Sequence, residues 1–312
     1  MNFPSYLLLT TLTFTGWNSS LLPAQQPVPD RLAIQDVCWS PDGKKLAFSV
    51  IYGKADWSDF RPENWQLIVY TLKTKKTQVV AKGAMFAAFS PDGHALAYSK
   101  YRSGGNWDLE IYDLHTGLAR PLTTDSTTRE SGPSWSPDGR QLVFYGGKDT
   151  QRELFVLNAD GSGLQKISNA APYKCFNPNW SPNSDHICYY LEKGDNRDQI
   201  YLTDSNGSFH KNLSQDTLHN YFPGWAPGNR IIYASNDETL RIMQADGSGK
   251  TTVKGIASFY GRLDPKGKKI ACIQKAGPTQ ALALSKFPVR GKVEKLFTLQ
   301  EYKILQAVLE SN

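Results

Sequence analysis

Trp39-Ser40-Pro41-Asp42-Gly43-Lys44-Lys45-Leu46-Ala47-Phe48 decides the fold, because it recurs along the chain. It returns as Phe89-Ser90-Pro91-Asp92-Gly93 leading to Leu96-Ala97-Tyr98, and as Trp135-Ser136-Pro137-Asp138-Gly139 before Leu142-Val143-Phe144. It then drifts through Trp180-Ser181-Pro182-Asn183-Ser184 and Trp225-Ala226-Pro227-Gly228-Asn229 to Leu263-Asp264-Pro265-Lys266-Gly267. The shared prolines stand at 41, 91, 137, 182, 227 and 265, a near-constant period for six copies. Proline presets φ at the first turn position, Asp tolerates the second, and Gly supplies the left-handed residue. Each copy is therefore a tight hairpin between a strand ending in an aromatic residue and an apolar strand.

A second hairpin follows in each copy. Gln66 to Leu72, Leu109 to Leu114, Leu154 to Leu157, Gln199 to Thr203, Leu240 to Met243 and Leu282 to Leu284 read as third strands. Polar glycine turns such as Ala159-Asp160-Gly161-Ser162 come next, then a short strand ending in Leu122-Thr123, Ile167-Ser168 or Leu213-Ser214. Each repeat is four antiparallel strands, here lettered A to D. Four-stranded units of about 45 residues that cannot bury both faces alone stack radially. The expected fold is all-β, a six-bladed propeller of four-stranded antiparallel blades, at residues 25–298. The blades fall at about residues 33–82, 83–126, 127–170, 171–216, 217–254 and 255–298, followed by a tail at 299–312 read as a short helix or a latch strand.

The Trp-Ser-Pro-Asp-Gly string, with its Gln-Ile-Tyr-Leu strand at residues 199–202 and Asp-Gly-Ser turns, resembles the WD-like repeats of the TolB β-propeller family. The resemblance covers about residues 30–298 and concerns the propeller part; the α/β domain that precedes it in that family has no counterpart in residues 1–34. It implies a periplasmic interaction protein. Similar repeats form the lid propeller of prolyl-oligopeptidase-type peptidases and some metal-dependent pectin lyases. The G-x-S-x-G nucleophile elbow of the peptidases does not occur here. The five histidines, His94, His115, His186, His210 and His219, are spread over different turns and loops, which argues against a shared metal.

The 312 residues are 40% hydrophobic, enough for a real core. Net charge is +6, spread along the chain with no run of like charge, so a nucleic-acid partner is not expected. Cys38, Cys175, Cys188 and Cys272 show no C-x-x-C pairing, and neither a disulfide nor a metal or other cofactor is expected. Leu7 to Trp17 is an apolar stretch too short to span a bilayer, followed by Leu22-Pro23-Ala24. Residues 1–24 therefore read as a signal peptide, though without a basic n-region, and predict a periplasmic or secreted chain whose mature part has no transmembrane segment.

With strand A innermost, the A–B and C–D turns share one face of the disc and the B–C and D–A loops the other. The stereotyped turns are structural, so functional variation is expected on the loop face. Aromatic residues start several inner strands there: Phe86, Phe176, Tyr221 with Phe222, and Phe259 with Tyr260, with Glu130 and Lys174 nearby. They read as a partial collar around the channel mouth, against the alternative of packing between blades. The long blade-one loop adds Trp57, Phe60, Arg61 and Trp65, residue types enriched at binding hot spots. These positions predict a monomeric, non-catalytic module that binds a protein or peptide partner in the cell envelope, or a glycan. The rival readings are a polysaccharide lyase or glycosidase, and a sensor or lid for a separately encoded protein.

Overall fold

The structure, a computed structural model, describes residues 30–54, 61–124, 128–148, 150–183, 185–194, 197–276, 279–289 and 293–298. They form six sheets, each of four antiparallel strands hydrogen-bonded in sequence order. The A strands are Asp30–Trp39, Ala84–Phe89, Ser131–Trp135, Lys174–Trp180, Asn220–Ala226 and Gly261–Leu263. Each A strand touches the A strands before and after it, and the last touches the first, so they ring a central axis. The architecture is a six-bladed propeller.

The hydrophobic core lies between blades. Ala47, Leu67 and Val69 of blade one pack with Ala84, Phe89, Leu96 and Tyr98 of blade two. Ile34, Val37 and Phe48 pack with Ala271, Ile273, Leu282 and Phe297 of blade six. Strands B and C are thus covered on both faces, which is why they read as continuous apolar runs rather than as alternation. Leu142-Val143-Phe144-Tyr145 is buried at every position.

The repeat motif has an inter-blade purpose. In blades one, three and five the anchor tryptophan donates its indole N–H to the carbonyl just before the anchor of the preceding blade. Trp135 Nε1 lies 3.1 Å from Ala88 O, Trp225 Nε1 2.8 Å from Asn179 O, and Trp39 Nε1 3.0 Å from Arg262 O. The indole N–H of Trp180 in blade four is instead buried without a hydrogen-bond partner among the described residues. Within the turns of blades one to three, the serine and aspartate hold the loop closed. Ser40 Oγ donates to Asp42 Oδ1 at 2.6 Å, and Ser90 Oγ to Asp92 Oδ1 at 2.5 Å. The turn glycine packs against the neighbouring blade's proline, a Cβ on Gly93 falling 3.6 Å from Pro41 Cδ and one on Gly43 3.8 Å from Pro265 Cδ. These are ordinary contact distances, so it is the left-handed φ of 74° and 68° that calls for glycine there.

Ring closure uses these same contacts rather than a shared strand, since every sheet is contiguous in sequence. Blade one meets blade six through Trp39 and Arg262, through Gly43 and Pro265, and through the Ile34 N–H, which donates to Gln280 Oε1 at 2.7 Å. Residues 299–312, expected as a helix or latch strand, lie outside the described residues, as do residues 1–29. The four cysteines are free: Cys175, Cys188 and Cys272 are buried, and Cys38 is half-buried.

Candidate binding site at the loop-side mouth

Each A strand begins on the loop face, and most carry a bulge there. The pairing with strand B slips between Ile34 and Val37, Met85 and Ala88, Phe176 and Asn179, and Tyr221 and Gly224. The residue three places before the anchor is Asp36, Phe86, Gly132, Asn177, Phe222 or Tyr260. Phe86, Asn177 and Phe222 take φ of 52°, 47° and 53°. Non-glycine residues rarely hold this left-handed conformation, and such strain collects where side chains must be aimed.

Aromatic rings form an unbroken arc over blades three to six. Ring centroids lie 5.1 Å apart for Tyr145 and Phe176, 5.3 Å for Phe176 and Tyr190, and 6.0 Å for Tyr190 and Phe222. Phe222 is 5.2 Å from Tyr221 and 5.3 Å from Tyr260, whose face carries the Arg262 guanidinium 4.3 Å from the centroid. Three of these contacts cross a blade seam, yet Phe176, Tyr190, Tyr221 and Phe222 remain half-exposed. The two readings of the collar are both realised: the rings join blades and keep part of their surface open.

Charged pairs flank the arc. Lys174 Nζ lies 3.2 Å from Glu192 Oε1, and His219 Nδ1 lies 3.5 Å from Asp198 Oδ2. Burial raises the Asp198 carboxyl above its ordinary value, His219 opposes that shift, and Glu192 adds to it. Burial also pushes the Tyr190 hydroxyl up, with Asp198 and Glu192 among the neighbouring charges that contribute. The opposite side of the mouth is small and polar. Asp36 is buried and accepts the Ser49 N–H at 2.9 Å and the Ala87 N–H at 3.1 Å. Ser99 Oγ accepts the Gly132 N–H at 3.0 Å and lies 2.9 Å from Ser131 Oγ.

The sequence-derived positions divide as follows. Lys174, Tyr221 and Tyr260 meet in or beside the arc, with Tyr260 buried beneath Arg262. Phe86 and Phe259 are half-exposed outside it. Glu130 is buried in the link between blades two and three, where its N–H donates to Trp107 O at 2.8 Å. Trp65 is 4% exposed and packs at a tilt against Trp107 of blade two, ring centroids 5.6 Å apart, so its ring goes into packing. Arg61 is exposed, and Trp57 and Phe60 lie outside the described residues. Sequence reasoning missed Tyr145 and Tyr190. Both stand eight residues after a turn proline, where blades one and two have Ser49 and Ser99, so register alone would have paired them. It also missed the Asp198–His219 pair, which no local spacing signals.

On the turn face, a groove of about 880 Å³ between blades two and three is lined by Pro91, Ile111, Leu118, Arg120 and Trp135 together with Asp92, Asp113 and Asp138. Those carboxylates serve their own turns: Asp92 and Asp138 are held low chiefly by Ser90 and Ser136, and Asp113 by the N–H groups of Thr116 and His115. Among the described residues, no group of three or more His, Cys, Asp or Glu could hold a metal ion. No helix among them is long and apolar enough to cross a membrane.

With this geometry in hand, the family is plain. Residues 37–262 match the family model of the TolB beta propeller domain, and the chain belongs to that family. It is 25% identical over 154 residues to dipeptidyl-peptidase 5 of Porphyromonas gingivalis, covering 47% of this chain and 22% of that protein. It is 30% identical over 108 residues to the Tol-Pal system protein TolB of Anaeromyxobacter dehalogenans, covering 34% of this chain and 24% of that protein. The match thus spans about a quarter or less of either relative. Among solved structures, TolB from Acinetobacter baumannii superposes with a TM-score of 0.62 at 16% identity, covering 86% of this chain and 66% of that one. Oligogalacturonate lyase from Vibrio parahaemolyticus superposes at 0.58 with 15% identity, covering 88% and 80%. Likeness at these identities establishes the shared fold.

Proposed function

We propose that this chain is a non-catalytic binding module of the cell envelope, exported by residues 1–24, whose loop-side mouth holds an extended segment of a partner protein. The observation that carries the reading is the half-exposed arc from Phe176 through Tyr190 to Phe222 and Tyr221. Rigid rings held by inter-blade contacts offer apolar area at low entropic cost, and the flanking Lys174–Glu192 pair gives a segment both charge signs to read. The TolB family membership and the name of the Tol-Pal relative support an envelope setting. A glycan would use the same rings.

The test is capture of envelope proteins on the immobilised chain, comparing wild type with Tyr221→Ala and Lys174→Glu, each first shown to melt like wild type. Loss of the same captured protein in both variants is expected. Unchanged capture in both would remove the mouth from consideration.

A second reading rests on Asp198 and His219, a raised carboxyl beside an imidazole, which is the kind of pair a polysaccharide-acting propeller would use for proton transfer. Release of unsaturated products from a polyuronate, abolished in Asp198→Asn, would favour it over the binding module.

A further inference from the structure

The positive charge that is scattered in sequence is gathered by the fold onto one part of the turn face. In blade one, the A–B and C–D turns adjoin, with Leu72 N–H donating to Lys44 O at 3.0 Å. They expose Lys44, Lys73, Lys75 and Lys76. In blade six the same turns adjoin, with Phe287 N–H donating to Lys268 O at 2.7 Å, and expose Lys266, Lys268, Lys269, Lys286 and Lys295. The Gly43–Pro265 contact sets the two blades' A–B turns side by side.

Little negative charge answers them. Asp42 pairs with Lys44 at 3.3 Å, and Asp264 is buried, accepting the Lys268 and Lys269 N–H groups at 2.6 and 2.7 Å. Glu294 is the other carboxylate on the described strand ends there. Lys269 stands directly opposite Lys286 in the ladder, a like-charge pairing that costs stability within the fold. The partner that repays such an arrangement is an extended anionic surface.

The chemistry of the face selects which one. Every described cation on these turns is lysine, a flexible point charge suited to diffuse attraction, and none is the bidentate arginine fork that grips individual phosphates. The same face carries large apolar side chains in the open: Leu118 at 71%, Leu164 at 58% and Phe209 at 37% exposure, on the C–D hairpins of blades two, three and four. The aspartates of those hairpins, Asp113, Asp160 and Asp204, are each taken up by the N–H groups of their own turn. A bilayer interface accepts lysines and apolar side chains together, whereas a nucleic acid has no use for the latter. We propose that the turn face docks on an anionic lipid bilayer through the lysines of blades six and one, leaving the loop-side mouth turned away from the membrane. This stands independently of what the mouth binds.

Co-flotation with vesicles tests it, using phosphatidylcholine alone and phosphatidylcholine with about a third phosphatidylglycerol. Wild type floats with the anionic vesicles, stays behind with the neutral ones, and is released as salt shortens the screening length. Reversing Lys73, Lys75, Lys266 and Lys268 to Glu lowers partitioning by more than about a hundredfold, since each lysine near an anionic surface is worth on the order of fivefold. A control carrying Lys82→Glu and Lys148→Glu, two exposed lysines on the loop side of the disc, floats much more like wild type. Equal flotation with neutral vesicles, retention by the fourfold variant, or binding to an oligonucleotide without binding to anionic vesicles would each overturn the proposal. A wild-type melting curve for the fourfold variant ensures that the loss is not unfolding.

Discussion

Trp39 Nε1 donates to Arg262 O at 3.0 Å across 223 residues of chain, and this bond repeats at the ring's closure the contact that joins blade two to blade three and blade four to blade five. Arg262 in turn reaches back into blade five, donating to Phe222 O and Pro223 O at 3.0 Å each. The last blade is therefore gripped on both sides by hydrogen bonds to main-chain carbonyls. Trp39→Phe keeps an apolar ring but leaves a buried carbonyl without its donor, which costs about 2 kcal/mol. Urea unfolding followed by tryptophan-independent circular dichroism should show that loss. A midpoint equal to wild type would mean that the ring does not depend on this bond.

Gly207 shows why the C–D turns of blades three to five keep their glycine. Its φ is 69°, and a Cβ there would lie 2.0 Å from Ile167 O, a main-chain atom of the preceding blade. Gly161 stands in the same relation to Leu122 O at 2.8 Å, and Gly247 to Leu213 O at 3.0 Å. Gly207→Ala combines an unfavourable left-handed backbone conformation with a backbone clash and is expected to cost about 3 kcal/mol or more. Gly194, with φ of 75° and open space around it, provides the comparison, since alanine there meets only the conformational penalty of about 1 kcal/mol. Thermal melts of both variants should separate by several degrees, with Gly207→Ala the lower.

Asp36 couples stability to pH. Burial raises its carboxyl from 3.8 to about 6, while its bonds to Ser49 and Ala87 and the Arg262 charge pull in the other direction. The folded chain thus holds this proton more tightly than the unfolded chain. Its contribution is full below the unfolded value near 3.9 and is lost as pH rises through about 6. Between about pH 4.5 and about pH 7.5 the loss amounts to about 2 kcal/mol. Asp36→Asn removes that dependence, so the wild-type and variant stability profiles should converge or diverge by this amount across the interval. Parallel profiles in urea titrations would show that Asp36 does not titrate there.

The thiols should be silent in the native protein. Burial pushes Cys38, Cys175, Cys188 and Cys272 each up to about 12, so little thiolate exists near neutral pH. Under a thiol-reactive dye at about pH 8, the folded chain is expected to label slowly and the urea-unfolded chain at all four positions. Rapid native labelling of Cys175, Cys188 or Cys272 would contradict the burial of these side chains.

The six Trp-Ser-Pro-Asp-Gly copies were sufficient to determine the architecture, because turn chemistry is local: proline, aspartate and glycine act on backbone angles within four residues of themselves. The same locality made the aromatic starts of the inner strands visible as Phe176, Tyr221, Phe222 and Tyr260. Whether those rings meet was not local. It took the radial stacking of blades to bring Tyr145 to Phe176 and Tyr190 to Phe222, and to bury Trp65 against Trp107 instead of presenting it to a partner. The Asp198–His219 pair and the lysine surface are likewise invisible as spacing. Residues 44–76 and 266–295 are some 190 positions apart, joined only where the ring closes at Gly43 and Pro265. Sequence by itself determined the repeating unit, since short-range sterics and hydrogen bonding write it into every copy. Tertiary structure decided which charges and rings share a surface, since that depends on closing the ring and on which side of each sheet the pleat directs a side chain.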